Sequence, residues 1–520
     1  MGLIETTDVK NSLNQASSRK LSGARLRLVN LLSFLSCLLV LAIYVWLISY
    51  GLWTKWPGTT IYYDQLASSF RQGKLSLELK PDPALLAVPN PYDPSARTGL
   101  QVPTDISFYK GKFYLYFGPV PAVLLMIARI FVHGAIGDQY LVFSFIAGIF
   151  IIQSLLLIKL WQRFFPDITP WLIPPSILLI GLICPIGWIL SLPTVYNAAI
   201  AGGAFFFLFG FYLAYNALDR PSISIWRLVL AALFWGMAIG SRITQILPIG
   251  FMAVMVTILI VNKNRDTNNF SKSIPAVLAL GLTLGIGLAG LSWYNWARFG
   301  SIFETGITYQ LAGPYLQKYQ HDLFSPVYIL QNLYNYLFIP PKIKSAFPFL
   351  TPIYGNLNPI ISFLPLPKIY YSQEIAGYLF SSPFILFAFI PVINLVSRFE
   401  QRPAGIVNEE DQHIYTWLTT SLLGSFLFGF TFFLVFFWVA MRYFLDFTPA
   451  LILLSIIGFW QLYRYYAGQP VSKFIYLLVA FGLILISILA SNLLALSINS
   501  GTFRQFNPVL WRQLVNFFRR

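Results

Sequence analysis

Apolar runs of about twenty residues recur along most of this chain, and they constrain its fold more than any other feature. A run of this length matches the hydrocarbon core of a bilayer, where backbone groups must pair internally and therefore form helices. Only 10% of the 520 residues are charged, too few for a soluble domain of this size. The sequence predicts an all-α polytopic membrane protein with about 11–13 transmembrane helices. The runs lie near 28–53, 117–137, 139–160, 171–192, 195–216, 225–241, 243–262, 274–296, 376–397, 414–438, 443–463 and 473–496.

Two long polar stretches interrupt these runs, and both are predicted to be outer-face loops that carry short amphipathic helices. In the first loop, the amphipathic helix would begin at Asp64. In the second loop, the apolar segment Val327–Ile339 could enter the membrane. The expected division of the chain is a cytosolic basic tail (1–27), a first transmembrane helix (28–53), an outer loop (54–116), a transmembrane bundle (117–296), a second outer loop (297–375), C-terminal transmembrane helices (376–496) and a basic amphipathic tail (497–520).

Basic residues orient the helices. Five of them precede the first helix and place the N-terminus inside, so the first loop faces outside. If both 117–137 and 139–160 crossed fully, the basic loops further on would lie on the wrong side. The prolines in Gly118-Pro119-Val-Pro121 favour a re-entrant or interfacial segment there. The five basic residues are Lys10, Arg19, Lys20, Arg25 and Arg27.

The net charge of +16 indicates affinity for anionic membrane lipids rather than for nucleic acid. The basic residues are scattered through loops and helix ends, with no basic patch interleaved with aromatics. Both cysteines, Cys37 and Cys184, lie in apolar runs, so no disulfide framework is predicted. The three histidines are far apart and form no zinc motif: His133, His321 and His413.

The first loop holds five acidic residues, which differ in their local sequence. Asp82 and Asp93 stand beside prolines, where an aspartate usually caps its own backbone. Glu78 lies in the alternating segment Leu-Ser-Leu-Glu-Leu and is predicted to be solvated. Asp64 and Asp105 remain as candidate catalytic acids, because each lies where the chain leaves or returns to the membrane.

Three arginines lie at the ends of apolar runs on the predicted outer face, namely Arg242, Arg298 and Arg442. An ionisable residue at such a depth is a functional candidate, and several guanidinium groups together suit a phosphate or diphosphate. Two simpler interpretations remain open. Arg298 could snorkel at its helix end, and Arg442 could pair with Asp446 four residues later. Four further residues accompany the arginines as supporting candidates: Tyr196, Glu304, Tyr443 and Asp446.

Four stretches of the chain resemble the GT-C superfamily of membrane glycosyltransferases, which includes protein mannosyltransferases and the lipid A aminoarabinose transferase. The resemblance covers most of residues 28–465 and is greatest for a bacterial group of GT-C-like proteins. The stretches are Tyr109-Lys-Gly-Lys-Phe-Tyr-Leu-Tyr-Phe-Gly-Pro, Gly240-Ser-Arg242, Asn295-Trp-Ala-Arg298-Phe-Gly-Ser-Ile-Phe-Glu304-Thr-Gly and Arg442-Tyr-Phe-Leu-Asp446-Phe-Thr-Pro449.

The resemblance implies a multi-pass enzyme of the plasma membrane, the bacterial inner membrane. It would transfer a sugar, with inversion, from a polyprenyl-phosphate donor to a glycan, lipid or protein acceptor at the periplasmic face. An acid of the first loop would act as general base, and arginines would stabilise the leaving phosphate. Better-known relatives carry Asp-Glu in this loop, whereas this chain has Asp64-Gln65, so Asp105 stays as the rival base. Some relatives bind a divalent metal through loop acids, which leaves a metal possible here.

Two other classes of protein stay open at this point. A transporter or flippase of a lipid-linked sugar would show related halves and broken helices at the midplane, and the sequence has no internal repeat. An O-antigen ligase or polymerase type of enzyme usually carries its defining outer loop late in the chain. The second loop here, with Tyr315, Tyr319, His321 and Asp322, keeps that class possible.

Overall fold

A computed structural model of the chain describes residues 23–103, 105–219, 222–265, 271, 273–355, 365–397, 406 and 409–519. Most of the predicted basic tail at 1–27 lies outside these ranges, as does most of the polar stretch 398–408. Four basic residues of the later loops, which the sequence predicts to lie inside, are also outside the described ranges: Arg220, Lys272, Arg398 and Arg402.

Helices make up most of the described chain. Up to the second loop they are α1 Gly23–Ile48, α2 Tyr62–Arg71, α3 Pro83–Ala87, α4 Val120–Ala128, α5 Asp138–Phe164, α6 Ile173–Leu182, α7 Ile186–Leu190, α8 Val195–Leu218, α9 Ile225–Ser241, α10 Ile246–Arg265 and α11 Ser273–Phe299. Beyond it they are α12 Ile329–Leu337, α13 Tyr378–Ser381, α14 Phe389–Ser397, α15 Glu409–Leu434, α16 Thr448–Tyr465, α17 Pro470–Ile498, α18 Ser500–Phe506 and α19 Pro508–Phe517.

Strands are short and pair two by two within the described chain. Antiparallel pairs join β1 Ser107–Tyr109 with β2 Lys112–Tyr114, and β3 Lys342–Ile343 with β4 Leu350–Thr351. A third antiparallel pair joins β5 Ile353–Tyr354 with β7 Glu374–Ile375. The parallel pair of β6 Tyr371–Ser372 with β8 Trp438–Val439 connects the second loop to the end of α15.

Seven helices of the described chain are long and apolar enough to cross a bilayer. This confirms the prediction of an all-α polytopic membrane protein. The seven stretches are Arg27–Ile48, Asp138–Phe164, Val195–Leu218, Ile243–Asn264, Ser273–Phe299, Glu409–Leu434 and Pro470–Ile498. Shorter apolar helices lie at Pro170–Leu182, Ile225–Ser241 and Pro383–Leu395.

The helix bundle has two faces with different chemistry. On one, which we call the basic face, ion pairs join helix ends that are far apart in sequence: Arg163 with Asp219 and Asp411, Lys263 with Glu410, and Arg464 with Asp167. On the other, the loop face, both long loops meet the helix ends. There Thr59 donates to the carbonyl of Pro193 (2.6 Å), and Arg298 donates to that of Leu115 (2.7 Å).

The short helix α4 does not carry the chain from one face to the other. Its nine residues span only about 14 Å, half of a bilayer's hydrocarbon core. Both ends of α4 lie on the loop face, since Gly118 packs on the backbone of Gly240 and Arg129 pairs with Asp64. The re-entrant interpretation therefore agrees with the structure, and the parity conflict disappears.

Exposed tryptophans lie near both faces of the bundle. Trp53, Trp293 and Trp296 lie near the loop face, and Trp171 and Trp226 near the basic face. Indole rings favour the boundary between hydrocarbon and water, so these two groups of tryptophans are expected to lie at the two surfaces of the membrane. The C-terminal helices α18 and α19 return to the loop face, where Asn507 donates to the carbonyl of Tyr50 (2.9 Å).

Cysteine labelling tests this path of the chain. Because α18 and α19 return to the loop face, Gln513 in α19 should lie on the same side as Lys74 in the first loop, and Ala467, between α16 and α17, on the opposite side. We expect a membrane-impermeant maleimide added to intact cells to label Lys74→Cys and Gln513→Cys, and to label Ala467→Cys only after lysis. The wild-type chain, whose Cys37 lies in α1 and whose Cys184 is buried between α6 and α7, is the control. Labelling of Gln513→Cys only after lysis would contradict the path.

Candidate functional site

A cavity of about 540 Å³ lies where the loop face meets the helix ends. Its polar part brings together residues from five distant parts of the chain: Asp105, Tyr196, Arg242, Arg298, Arg442 and Tyr443. Its apolar part is formed by residues of α9, α11, α15 and the second loop, including Ile239, Leu291, Phe324, Phe432 and Phe436. A charged end beside an apolar wall suits an amphiphilic ligand.

Asp105 is held in place by its backbone and by one tyrosine. Its φ of +58° lies in the left-handed region, which Asp tolerates better than most residues, and this bend directs the chain into β1. Its amide donates to the carbonyl of Leu311 (3.1 Å), and the hydroxyl of Tyr196 donates to its Oδ2. Of the described residues that line the cavity, Asp105 is the one with a carboxylate. A single acid therefore faces the space where a ligand would lie.

The carboxylate of Asp105 affects the pKa of the Tyr62 phenol. Burial raises the pKa of Tyr62, and the carboxylates of Asp138 and Asp105 raise it further. The phenol consequently remains a hydrogen-bond donor at neutral pH. Asp138, at the start of α5, is itself occupied, because it accepts hydrogen bonds from Thr60 and from the amides of Tyr62 and Tyr63.

Asp64, the other candidate base, lies outside the cavity lining. It belongs to α2, and its carboxylate forms a two-point ion pair with Arg129 just beyond α4, with Nε to Oδ1 at 2.7 Å. The Asp64 residue is only 3% exposed, and this hydrogen bond raises the pKa of Arg129. The pair joins α2 to the re-entrant helix. Its geometry gives Asp64 a structural partner and no open side toward the cavity.

The remaining acids of the first loop behave as predicted. Asp82 caps α3 by accepting from the amide of Ala84 (2.8 Å), and Asp93 accepts from the amide and hydroxyl of Ser95. These bonds from Ser95 lower the pKa of Asp93. Glu78 is exposed and lies 3.8 Å from Lys74.

Arg242 pairs with Asp446, which is 204 residues away and was expected near Arg442. The distance from Nε to Oδ1 is 3.5 Å, and the same Oδ1 accepts from Thr244 (2.8 Å) and Gln245 (3.1 Å). Residues Met441–Asp446 form a 3₁₀ helix, in which positions i and i+4 do not share a face. The interpretation that Arg442 and Asp446 neutralise one another is therefore wrong.

Arg298 uses its donors on the protein itself. Its Nη1 donates to the carbonyl of Leu115 (2.7 Å), its Nη2 to Asn295 (2.8 Å) and its Nε to the carbonyl of Tyr294 (3.4 Å). Its guanidinium also lies 3.9 Å from the ring centre of Tyr294. Arg298 lines the cavity, but it ties the end of α11 to the first loop. The nearby Glu304 accepts from the amide of Gly306 (2.6 Å) and is not a lining residue.

Arg442 has the most donor capacity to spare. One nitrogen, Nη1, donates to Oε1 of Gln373 (2.7 Å), and the guanidinium lies over the rings of Tyr196 (5.3 Å) and Tyr443 (5.1 Å). Its Nε is buried, and within the described ranges no hydrogen-bond partner contacts it. Because Gln373 is neutral, its hydrogen bond does not offset the positive charge of Arg442.

Two residues of the second loop contribute to the site without any signal in the sequence. Gln373 orients Arg442, and Asn332 donates to the carbonyls of Phe433 (2.9 Å) and Phe436 (2.8 Å), at the end of α15. Their roles depend on partners 69 to 104 residues away, and neither belongs to a recurring motif. Only the fold brings them next to residues that surround the cavity.

The donors of the described chain do not form a protein-only metal site. No group of three or more His, Cys, Asp or Glu side chains that could hold an ion occurs among the described residues. Within the cavity lining, Asp105 lies with arginines rather than with other acids, and arginines do not bind cations. The donor set therefore fits an anionic ligand better than a divalent metal.

No protein-family model and no curated protein sequence matches this chain. Among solved structures, it is similar to the oligosaccharyltransferase of the archaeon Archaeoglobus fulgidus in its apo form, with a TM-score of 0.42, 12% identity and coverage of 94% of this chain. It is also similar to that enzyme in complex with an inhibitory peptide and a dolichol-phosphate, with a TM-score of 0.39, 13% identity and coverage of 93%.

This chain spans 60% and 59% of the length of those two proteins. Such a similarity describes a loose correspondence of helices and assigns no function to the chain.

The ion pair of Asp64 and Arg129 predicts a stability effect. We expect Asp64→Asn and Arg129→Gln each to lower the melting temperature, and the double variant to lower it no further than the larger single change. The coupling free energy should be about 1–3 kcal/mol, because the pair is largely buried.

The exposed pair of Lys74 and Glu78 is the control, with a coupling below about 0.5 kcal/mol. Thermal unfolding of the purified variants measures both pairs. Additive effects of Asp64→Asn and Arg129→Gln would contradict the structural role of Asp64.

Proposed function

We propose that this chain is a membrane glycosyltransferase of the GT-C type, which moves a sugar from a polyprenyl-phosphate donor to an acceptor. The observation that carries the proposal is the shared cavity, where Asp105, Arg242 and Arg442 lie beside an apolar wall. A phosphate needs cationic donors, a prenyl chain needs apolar surface, and an acceptor hydroxyl needs a base. The resemblance of four sequence stretches to GT-C enzymes points to the same reaction.

The charges of the cavity suit one phosphate group in particular. Three arginines and two carboxylates, Asp105 and Asp446, leave one net positive charge around it. A lipid-phosphate sugar is a phosphodiester with one negative charge, whereas a lipid-diphosphate sugar carries two. The balance therefore favours the monophosphate donor. Arg442 would bind it most directly, with Arg242 beside it.

The reaction would begin when Asp105 takes the proton of an acceptor hydroxyl or amine. The acceptor atom forms a bond to the anomeric carbon while the bond from that carbon to the phosphate oxygen breaks, with inversion. The electron pair of the broken bond stays on the phosphate, whose second negative charge Arg442 and Arg242 stabilise. Tyr196 would hold the carboxylate of Asp105 in place, as its hydrogen bond indicates.

The position of the cavity on the loop face supports a proposed side of the membrane and a proposed route for the donor. The positive-inside rule places the first loop, and with it the cavity, at the outer side of the membrane. Ile243 and Phe324 both line the cavity and are exposed (42% and 47%), so its apolar wall continues onto the lipid-facing surface. This supports a donor that arrives from the bilayer. The proposed location is the bacterial inner membrane, with a glycan, lipid or protein as acceptor.

A transfer assay tests the proposal and separates the two candidate bases. The purified full chain is incubated with a radiolabelled polyprenyl-phosphate sugar and membrane extract as acceptor. We expect Asp105→Asn to lower the transfer rate by about 100-fold or more, because the general base is lost. Asp64→Asn should retain most of the rate below its melting temperature, and so should the exposed control Asp93→Asn.

Full activity of Asp105→Asn would refute the role of Asp105. Loss of transfer in folded Asp64→Asn, with Asp105→Asn active, would restore Asp64 as the base. Absence of transfer by the wild type, together with lipid movement across vesicles, would instead indicate a flippase.

A further inference from the structure

The guanidinium of Arg442, which lines the cavity, is bound to the protein through one nitrogen, Nη1. A guanidinium can contact a phosphate through two parallel N–H groups, either both Nη groups or Nε with one Nη. One of the two N–H groups of Nη1 donates to Gln373 (2.7 Å), so Nη1 is partly occupied. On the edge formed by Nε and Nη2, Nε is buried with no partner found within the described ranges. The Nε–Nη2 edge is therefore the one that this contact leaves for a ligand.

The neutral side chain of Gln373 also preserves the charge of Arg442. The other two arginines of the cavity differ in this respect. Arg242 has its charge offset by Asp446, and Arg298 spends its donors on protein acceptors. A glutamate at position 373 would neutralise Arg442 in the same way as Asp446 neutralises Arg242. An amide instead fixes the guanidinium through a hydrogen bond and leaves its positive charge for a ligand.

The backbone around Gln373 is fixed on both sides. Its amide donates to the carbonyl of Val439 (2.9 Å), and the amide of Tyr371 donates to that of Phe437 (3.0 Å). These bonds form the β6–β8 pair, three residues before Arg442. The second loop therefore holds both the wall of the cavity and the side chain that orients its arginine. A side chain anchored in this way can impose a direction on a long, flexible arginine.

We infer that Gln373 is a positioning residue, which turns the Nε–Nη2 edge of Arg442 toward the donor's phosphate and leaves its charge uncompensated. This rests on the proposed function, since it assigns the phosphate to Arg442. Gln373 does not itself line the cavity, so its effect reaches the ligand through Arg442.

Binding of a matched pair of probes tests the inference. Farnesyl phosphate and farnesol share one prenyl chain and differ by the phosphate. Their dissociation constants are measured for the purified full chain in detergent, for the wild type, Gln373→Glu and Gln373→Met. The exposed Gln320 of the same loop supplies the controls Gln320→Glu and Gln320→Met.

We expect Gln373→Glu to weaken farnesyl phosphate binding about tenfold or more, because the new carboxylate cancels the charge of Arg442. Gln373→Met leaves the charge of Arg442 uncompensated but removes the hydrogen bond that fixes its guanidinium. This change should weaken farnesyl phosphate binding about threefold. Farnesol binding should not change in either variant, because farnesol carries no charge for Arg442 to contact. The Gln320 variants should match the wild type with both probes.

Two results would overturn the inference alone. In one, both Gln373 variants bind farnesyl phosphate as the wild type does. In the other, they lose farnesyl phosphate and farnesol to the same extent, which indicates a structural role. If the wild type itself does not prefer farnesyl phosphate over farnesol, Arg442 is no phosphate site, and the proposed function falls together with the inference.

Discussion

The need to give every buried arginine a partner is the constraint on which the site depends. A guanidinium at the end of an apolar helix has few water molecules to solvate it, and leaving it unpaired costs several kcal/mol. Arg298 meets this need with backbone carbonyls and Arg242 with Asp446. Arg442 meets it least completely, since one neutral amide and two aromatic rings are its described partners. The unused donor capacity of Arg442 is the feature from which we propose that the cavity binds an anion.

The two long loops turn the helix ends into an enclosed site. The first loop supplies Asp105 and leads into the re-entrant helix α4, before which Gly118 packs on the backbone of Gly240. The second loop supplies Gln373 and pairs through β6 with β8, which follows α15. Neither loop forms the cavity alone, because Asp105 and Arg442 come from opposite ends of the chain.

The apolar runs were sufficient to predict a helical membrane bundle. The candidate residues predicted from the sequence include Asp105, Arg242 and Arg442, which line one cavity in the structure. Three features could not be predicted, because each depends on contacts between distant residues. Asp64 pairs with Arg129, which lies 65 residues further along the chain, and Asp446 faces Arg242 from a 3₁₀ helix. The role of Gln373 arises from a strand pair with a partner segment more than sixty residues away.

A structure of the chain with a bound polyprenyl phosphate, determined by cryo-electron microscopy in a lipid nanodisc, would show whether Arg442 binds the donor's phosphate. We expect the phosphate within hydrogen-bond distance of Nε and Nη2 of Arg442, with Arg242 beside it. The prenyl chain would lie along Leu291 and Phe432, and the carboxylate of Asp105 would face the phosphate across the cavity. A phosphate bound outside the cavity, for example beside Arg129, would contradict the account.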